Sequence, residues 1–354
     1  MSDRIKAVVE NIQAVDHEMG RAAQLHLNNL TKPVGSLGDL EKIVVQLAEI
    51  TRCKVPEVFP PGIIVFAADH GIAEEGVSAY PQEVTGQMVL NFLNEGAAIN
   101  VFTKSVNGFI EIVDVGVKST IDAEGLIVDK VGFGTKNFAK GPAMTREEAI
   151  HSIEVGMKRA EEMINKGAKL IIVGEMGIAN TTASSAIVAA ITGVNIRSIV
   201  GQGTGLAMSA LDYKAIVIDD ALKLLQPDCH DPLDLLQKVG GFEIGAMVGA
   251  MLYAASQNIP ILLDGFICTA SALVATKFCP EVRDYMIAGH HSVEPGHTIA
   301  LEALDKKALL SLHLRLGEGS GAVLAYPLVE AATRMAREMA TFDDADISRE
   351  MVTQ

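Results

Sequence analysis

Six short runs of apolar, mostly β-branched residues, each ending near a turn of glycine and polar side chains, constrain the fold of this chain more than any other feature. The first three lie at 63–67, before Asp69-His70-Gly71; at 109–113, before Asp114-Val115-Gly116; and at 170–173, before Gly174-Glu175-Met176-Gly177. Three more lie at 198–200, before Gly201-Gln202-Gly203-Thr204-Gly205; at 261–263, before Asp264-Gly265; and at 285–288, before Gly289-His290-His291. A strand that is apolar throughout needs cover on both faces, and helical segments between the runs supply it, so the pattern predicts a parallel sheet. In such a sheet ligands bind beyond the carboxyl ends of the strands, which is the edge where the polar turns fall.

The helices carry their own punctuation. Thr145 followed by Glu148 makes a capping box for a helix running to about Lys166, and Gly167 stops it. Residues 1 to 52 have helical period, broken by Leu30-Thr31-Lys32-Pro33-Val34-Gly35-Ser36-Leu37-Gly38. One helix is expected before the break, and another from about Asp39 with Leu40, Val44, Leu47 and Ile50 on one stripe. A last helix, from Ser320 to about Met339, should pack back on this pair. The fold predicted is α/β: a parallel six-stranded Rossmann-like sheet with helices on both faces, forming a large nucleotide-binding domain over 56–295. A small helical domain is expected from the two termini, 1–55 and 296–354.

Composition narrows the partners. A formal net charge of −15 without a Lys/Arg-rich run argues against nucleic acid and against an anionic membrane surface. The N-terminus has charges at helical spacing and no apolar core region, and no apolar run reaches membrane-span length, so no signal peptide and a cytoplasmic location are expected. Cys53, Cys229, Cys268 and Cys279 lie far apart with no C-x-x-C pairing and read as buried or incidental thiols. The tail Asp343-Asp344-Ala345-Asp346 and the pair Asp219-Asp220 read as solvated faces; the pair leads into Ala221-Leu222-Lys223-Leu224, not into the Thr/Gly loop typical of pyrophosphorylated-ribose users.

Four stretches offer chemistry. Leu314-Arg315-Leu316-Gly317-Glu318-Gly319-Ser320-Gly321-Ala322 holds one carboxylate among small residues, an arrangement that desolvates it and makes a general base. Gly174-Glu175-Met176-Gly177-Ile178-Ala179-Asn180-Thr181-Thr182 joins a strand to a helix of small residues. It is either a phosphate cradle of free amides at a helix N-terminus or a tight turn with Thr181 or Thr182 as helix cap. Gly203 and its neighbours offer a second such turn, to which Lys214 would add a positive charge. In Gly289-His290-His291-Ser292-Val293-Glu294-Pro295-Gly296-His297, the histidines with Asp69, His70 and Asp264 invite a metal-dependent hydrolase reading. Interruption by Gly and Pro denies them helical ligand geometry, so Ser292 and nearby amides are read instead as phosphate donors, Glu294 to His297 as a possible helix cap, and no metal is assigned. Tyr80 and Pro81, with Met88 on the helix after them, suggest an apolar slot for a flat ring.

Taken together these stretches resemble one family, the nicotinate-nucleotide:dimethylbenzimidazole phosphoribosyltransferases of cobalamin nucleotide-loop assembly. The resemblance runs from about residue 30 to 325 and is carried by LTKPxGSLG at 30–38, GEMGIANTT at 174–182, KVGGFE at 238–243, LLDGF at 262–266 and RLGEGSGA at 315–322. It implies transfer of ribose 5-phosphate from nicotinate mononucleotide to 5,6-dimethylbenzimidazole or a related base, with release of nicotinate, without a cofactor, by a homodimer. It also implies roles: Glu318 as the base that removes the azole proton, with inversion at C1′, and Glu175 as a second functional carboxylate. Gly177, Gly203, Lys214 and Ser292 would hold the phosphate and ribose of the donor, beside Asn180, Thr181 and Asp264 on the same rim. Tyr80 and Met88 would line the pocket of the incoming base, with Pro81 beside them. The commonest family form of the second glycine turn has Arg where this chain has Gln202.

Overall fold

In the computed structural model, which describes residues 1–203 and 205–348, six strands form one all-parallel sheet: β1 (Pro61–Ala68), β2 (Phe109–Gly116), β3 (Leu126–Val128), β4 (Leu170–Met176), β5 (Ile261–Leu263) and β6 (Met286–Ala288). Thr204 of the second glycine turn and residues 349–354 of the expected helical domain lie outside the described residues. The helices are α1 (Asp3–Asn11), α2 (His17–Asn28), α3 (Asp39–Thr51), α4 (Val84–Leu93), α5 (Ala98–Ser105), α6 (Arg146–Asn165) and α7 (Asn180–Thr192). They continue with α8 (Ile196–Ile199), α9 (Met208–Leu225), α10 (Pro232–Val239), α11 (Phe242–Ser256), α12 (Phe266–Phe278), α13 (Pro295–Ala303) and α14 (Ser320–Glu338).

Alternate side chains of each strand feed two cores. Ile64, Phe66 and Ala68 of β1 pack with α6, α7, α11 and α12, whereas Ile63, Val65 and Ala67 pack on the other face with α3, α5 and α14. All eight residues of β1 are buried, as the unbroken apolar run requires. The N-terminal helices divide between the faces: Ile5 and Val8 of α1 join the first core, while Leu27, Val44 and Leu47 of α2 and α3 join the second with Tyr326 and Val329 of α14.

Several expectations about elements need correcting. Residues 198–200 are not a strand; Asn195 accepts the Arg197 amide on its side chain and starts the single-turn helix α8 instead. The sixth strand is β3, a three-residue edge strand half exposed to solvent, whose apolar signal is too short to read. The region before Pro33 also forms two helices rather than one, because the Asp16 carboxylate takes the Glu18 and Met19 amides and starts α2 afresh. The Thr145–Glu148 capping box is present in both directions.

The strand order, β3-β2-β1-β4-β5-β6, places a topological switch between β1 and β4, where the chain leaves one edge and returns to build the other. Crevices at such switches, beyond the carboxyl ends, are where open parallel sheets bind ligands.

Candidate active site

A cavity of about 400 Å³ opens at this switch. Glu175, Gly177, Asn180, Thr181, Gly203, Asp264, Ser292 and Glu318, together with Tyr80 and Met88, all line it. Residues far apart in sequence are thus brought to one place by the order of the strands. Lys214 is not on the lining; it is enclosed in α9 and reaches the cavity through Thr181, whose Oγ1 accepts its Nζ at 2.9 Å. Pro81 does not reach the cavity. It is exposed at the turn before α4, where its carbonyl accepts the Val84 amide, so the expected Tyr80–Pro81 slot is made by Tyr80, Val84 and Met88 with Met176, Ile178 and Leu316.

The Glu318 loop has an uncommon backbone. Gly317, Glu318 and Gly319 all lie in the left-handed region, at φ of 90°, 66° and 92°. The flanking glycines tolerate this; for Glu318 the conformation costs on the order of 1–3 kcal/mol. Strand β4 makes room for the loop, since a β-carbon on Gly174 would run into the Glu318 carbonyl oxygen, and one on Gly317 would run into the Glu175 carboxylate. The loop is held from below by Asp264: its Oδ2 accepts the Gly319 amide at 3.1 Å and its Oδ1 the Ala322 amide at 3.0 Å, with His290 Nε2 at 3.2 Å from the same Oδ1. Asp264, read from sequence as a ligand-side residue, therefore caps α14 and anchors the loop that presents Glu318.

Both glutamates are perturbed by burial, to different degrees. Glu318 is 4% exposed; burial raises its pKa above the ordinary carboxylate value, opposed by the Ile99 amide, which donates to its Oε2 at 3.3 Å. Burial pushes Glu175 up to about 8, with the charges of Glu243 and Asp264 adding to the rise and hydrogen bonds from the Asn180 side chain and the Glu318 backbone opposing it. At neutral pH Glu318 is the better placed of the two to be ionised and to accept a proton, whereas Glu175 sits there as a neutral acid.

Elsewhere on the lining, the start of α7 lies near a lysine and an arginine. Neither Thr181 nor Thr182 caps α7; its N-cap is Ala179, at φ 75°, and no side chain caps the helix, so the positive end of its dipole is left without a resident acceptor side chain. Lys214 lies behind it, its pKa lowered to about 8 by burial and partly restored by the charge of Glu294. Arg315 donates to the Gly203 carbonyl at 3.2 Å, and Glu294 Oε1 accepts the Gly203 amide at 2.9 Å. Sequence reading gives Arg315 no role and Glu294 only that of a possible helix cap. A signal for Arg315 exists, three residues before Glu318 in RLGE, but the glutamate takes all the weight there. Ser292 is buried, its amide donating to His297 Nδ1 at 2.9 Å; burial lowers His297 to about 3, leaving a neutral ring whose Nε2–H faces Thr269 Oγ1 at 3.0 Å.

The metal reading fails on geometry. Asp69 accepts the Lys118 amide, His70 pairs with Glu243 at 2.6 Å with both side chains enclosed, Asp264 is committed to α14, and His291 faces Thr298. Among the described residues no group of three or more His, Cys, Asp and Glu is arranged to hold a metal ion, and no helix is long and apolar enough to cross a membrane.

Known proteins share this plan. The family described as phosphoribosyltransferase matches residues 12–347. The nicotinate-nucleotide–dimethylbenzimidazole phosphoribosyltransferase of Halalkalibacterium halodurans is 49% identical, with 98% of this chain and 97% of that protein covered; that of Geobacter sulfurreducens is 48% identical, with 96% and 97% covered. Among solved structures, CobT from Thermus thermophilus superposes with a TM-score of 0.91 at 46% identity, covering 94% of this chain and all of that one. With the fold, the switch-point cavity and the full-length likeness in agreement, the chain belongs to the nicotinate-nucleotide–dimethylbenzimidazole phosphoribosyltransferase family and is a pentosyltransferase.

Proposed function

We propose that the chain transfers the ribose 5-phosphate of nicotinate mononucleotide to 5,6-dimethylbenzimidazole or a closely related base, giving α-ribazole 5′-phosphate and nicotinate. The observation that carries this reading is one cavity with a buried, raised-pKa carboxylate on a glycine loop at one place and an uncapped helix N-terminus with two cations at another. The donor's phosphate is assigned to the α7 N-terminus, Gly177, Asn180, Thr181, Gly203, Lys214 and Ser292, and the incoming ring to the apolar lining beside Tyr80 and Met88.

The chemistry needs little beyond placement and one proton transfer. The leaving group is already a cationic pyridinium, so when the C1′–N bond breaks its electron pair neutralises nicotinate's ring nitrogen without help from an acid. The azole attacks C1′ through its unprotonated nitrogen from the opposite face, inverting β to α, while Glu318 takes the proton from the other nitrogen. General-base help of this kind is worth about 10²- to 10⁴-fold, and holding both partners in line supplies the rest. Glu175, neutral at pH 7, avoids setting a second negative charge beside the base and offers a hydrogen bond in place of one.

Incubating the protein with both substrates and no added metal, and resolving the products chromatographically, tests the reading: α-ribazole 5′-phosphate should appear with stoichiometric nicotinate. No product from well-folded protein would refute it. By the same resemblance a homodimer is expected, and sedimentation velocity measures it.

A further inference from the structure

Glu294 is a carboxylate that the proposed chemistry leaves without a task. It occupies the N-cap position of α13 but makes no capping bond there, since the helix opens with Pro295 and the side chain turns to the Gly203 amide instead. Its second oxygen lies against Gly201, where any β-carbon would strike it, so the glycine turn is shaped around the carboxylate. Glu294 also lines the cavity; burial raises its pKa, and the charge of Lys214, the Gly203 amide and the charge of Arg315 oppose the rise and favour its ionised form. It therefore already holds one of the donors, and balances the cations, that an entering oxyanion would use. An arriving phosphate would meet a like charge at that amide, and like charges in a poorly solvated site repel strongly.

We propose that Glu294 is a resident counter-anion and a specificity-determining residue: it holds the Gly203 amide in the free protein and so weakens binding of small free oxyanions. A ligand displaces it only when other contacts, to a ribose and a ring, hold that ligand in the cavity. The buried Lys214 ammonium would be costly to leave without a nearby counter-charge in the empty site, which gives the carboxylate a purpose between turnovers. The inference rests on the proposed placement of the donor's phosphate at Gly203 and Lys214.

The test is calorimetric titration of the full-length protein with inorganic phosphate, comparing wild type, Glu294→Gln and Lys214→Met, with a thermal melt of each. The glutamine keeps an oxygen for the Gly203 amide and removes the charge. Phosphate should bind E294Q about tenfold more tightly than wild type and K214M more weakly. Phosphate binding that depends on Lys214 but is unchanged or weaker in E294Q would overturn the inference, leaving Glu294 as a loop tether. Binding indifferent to Lys214, or none even in E294Q, would overturn the phosphate placement itself and the inference with it. Should E294Q melt early, Glu294→Ala in the same titration decides, since loss of the charge predicts the same sign.

Discussion

Glu318 and Glu175 line the same cavity, one from a loop and the other from the end of a strand, with Gly317 packed against the Glu175 carboxylate. The loop glutamate is buried and its pKa raised, with the Ile99 amide opposing the rise; the strand glutamate is buried near Glu243 and Asp264 and is pushed up to about 8. Identical side chains are thus perturbed differently because their neighbours differ: carboxylates at Glu243 and Asp264 and the Asn180 amide around Glu175, the Ile99 backbone amide and Asp264 around Glu318. Pairs of titratable groups whose environments drive their pKa values apart are how acid and base roles are divided between like residues.

The sharpest way to break this contrast is the same substitution at both sites. Glu318→Gln should lower kcat by about 10²- to 10⁴-fold, the span of general-base help, with little change in donor KM. Next in size, Asp264→Asn removes one of the two carboxylate oxygens that hold α14 and the Glu318 loop; kcat should fall by up to about 10²-fold, as expected for a misplaced base. Its signature against simple unfolding is a kcat loss at a KM and melting temperature close to wild type. Lys214→Met should act at the other end, raising donor KM by roughly tenfold or more, as loss of a charged hydrogen bond implies. In the wild type, donor affinity should weaken above about pH 8 as Lys214 loses its proton.

Glu175→Gln is expected to do least, within about threefold in kcat at pH 7, because an amide imitates the neutral acid. Its effect should show in stability instead. The pKa of Glu175 is raised on folding, from 4.5 to about 8, so between those values the folded state holds a proton that the unfolded state has lost. The stability contributed by that proton is therefore full below about pH 4.5 and declines as pH rises through about 8. Glu175→Gln should flatten that decline in melts taken from pH 5 to 8.5; a slope identical to wild type would place the Glu175 pKa elsewhere.

What could be read from sequence follows from how local each signal is. The long interior strands announce themselves because burial on both faces makes them mostly apolar, and the turns at their ends announce a ligand edge. Residues 198–200 imitate a strand because Ile199 and Val200 are β-branched, but they do not outweigh the Asn195 cap that precedes them, and β3 is missed because three apolar residues, Leu126 to Val128, are too short a run to read. In the site, Glu318 stands out since its glycines are adjacent to it. The anchoring role of Asp264 does not, because the amides it holds are 55 and 58 residues away, and no local pattern states that distance. Glu294 is hidden for a related reason: it sits where a helix cap would, and only the fold shows that its carboxylate turns to Gly203.

The pH dependence of kcat in wild type and Glu318→Gln, with saturating donor and base, tests the central assignment most directly. Wild-type kcat should fall on the acid side, through a pKa above that of an ordinary glutamate, as Glu318 takes up its proton. The variant should be slow and lack that limb. A variant that keeps wild-type turnover, or a slow one that still shows the same acid limb, would contradict Glu318 as the base.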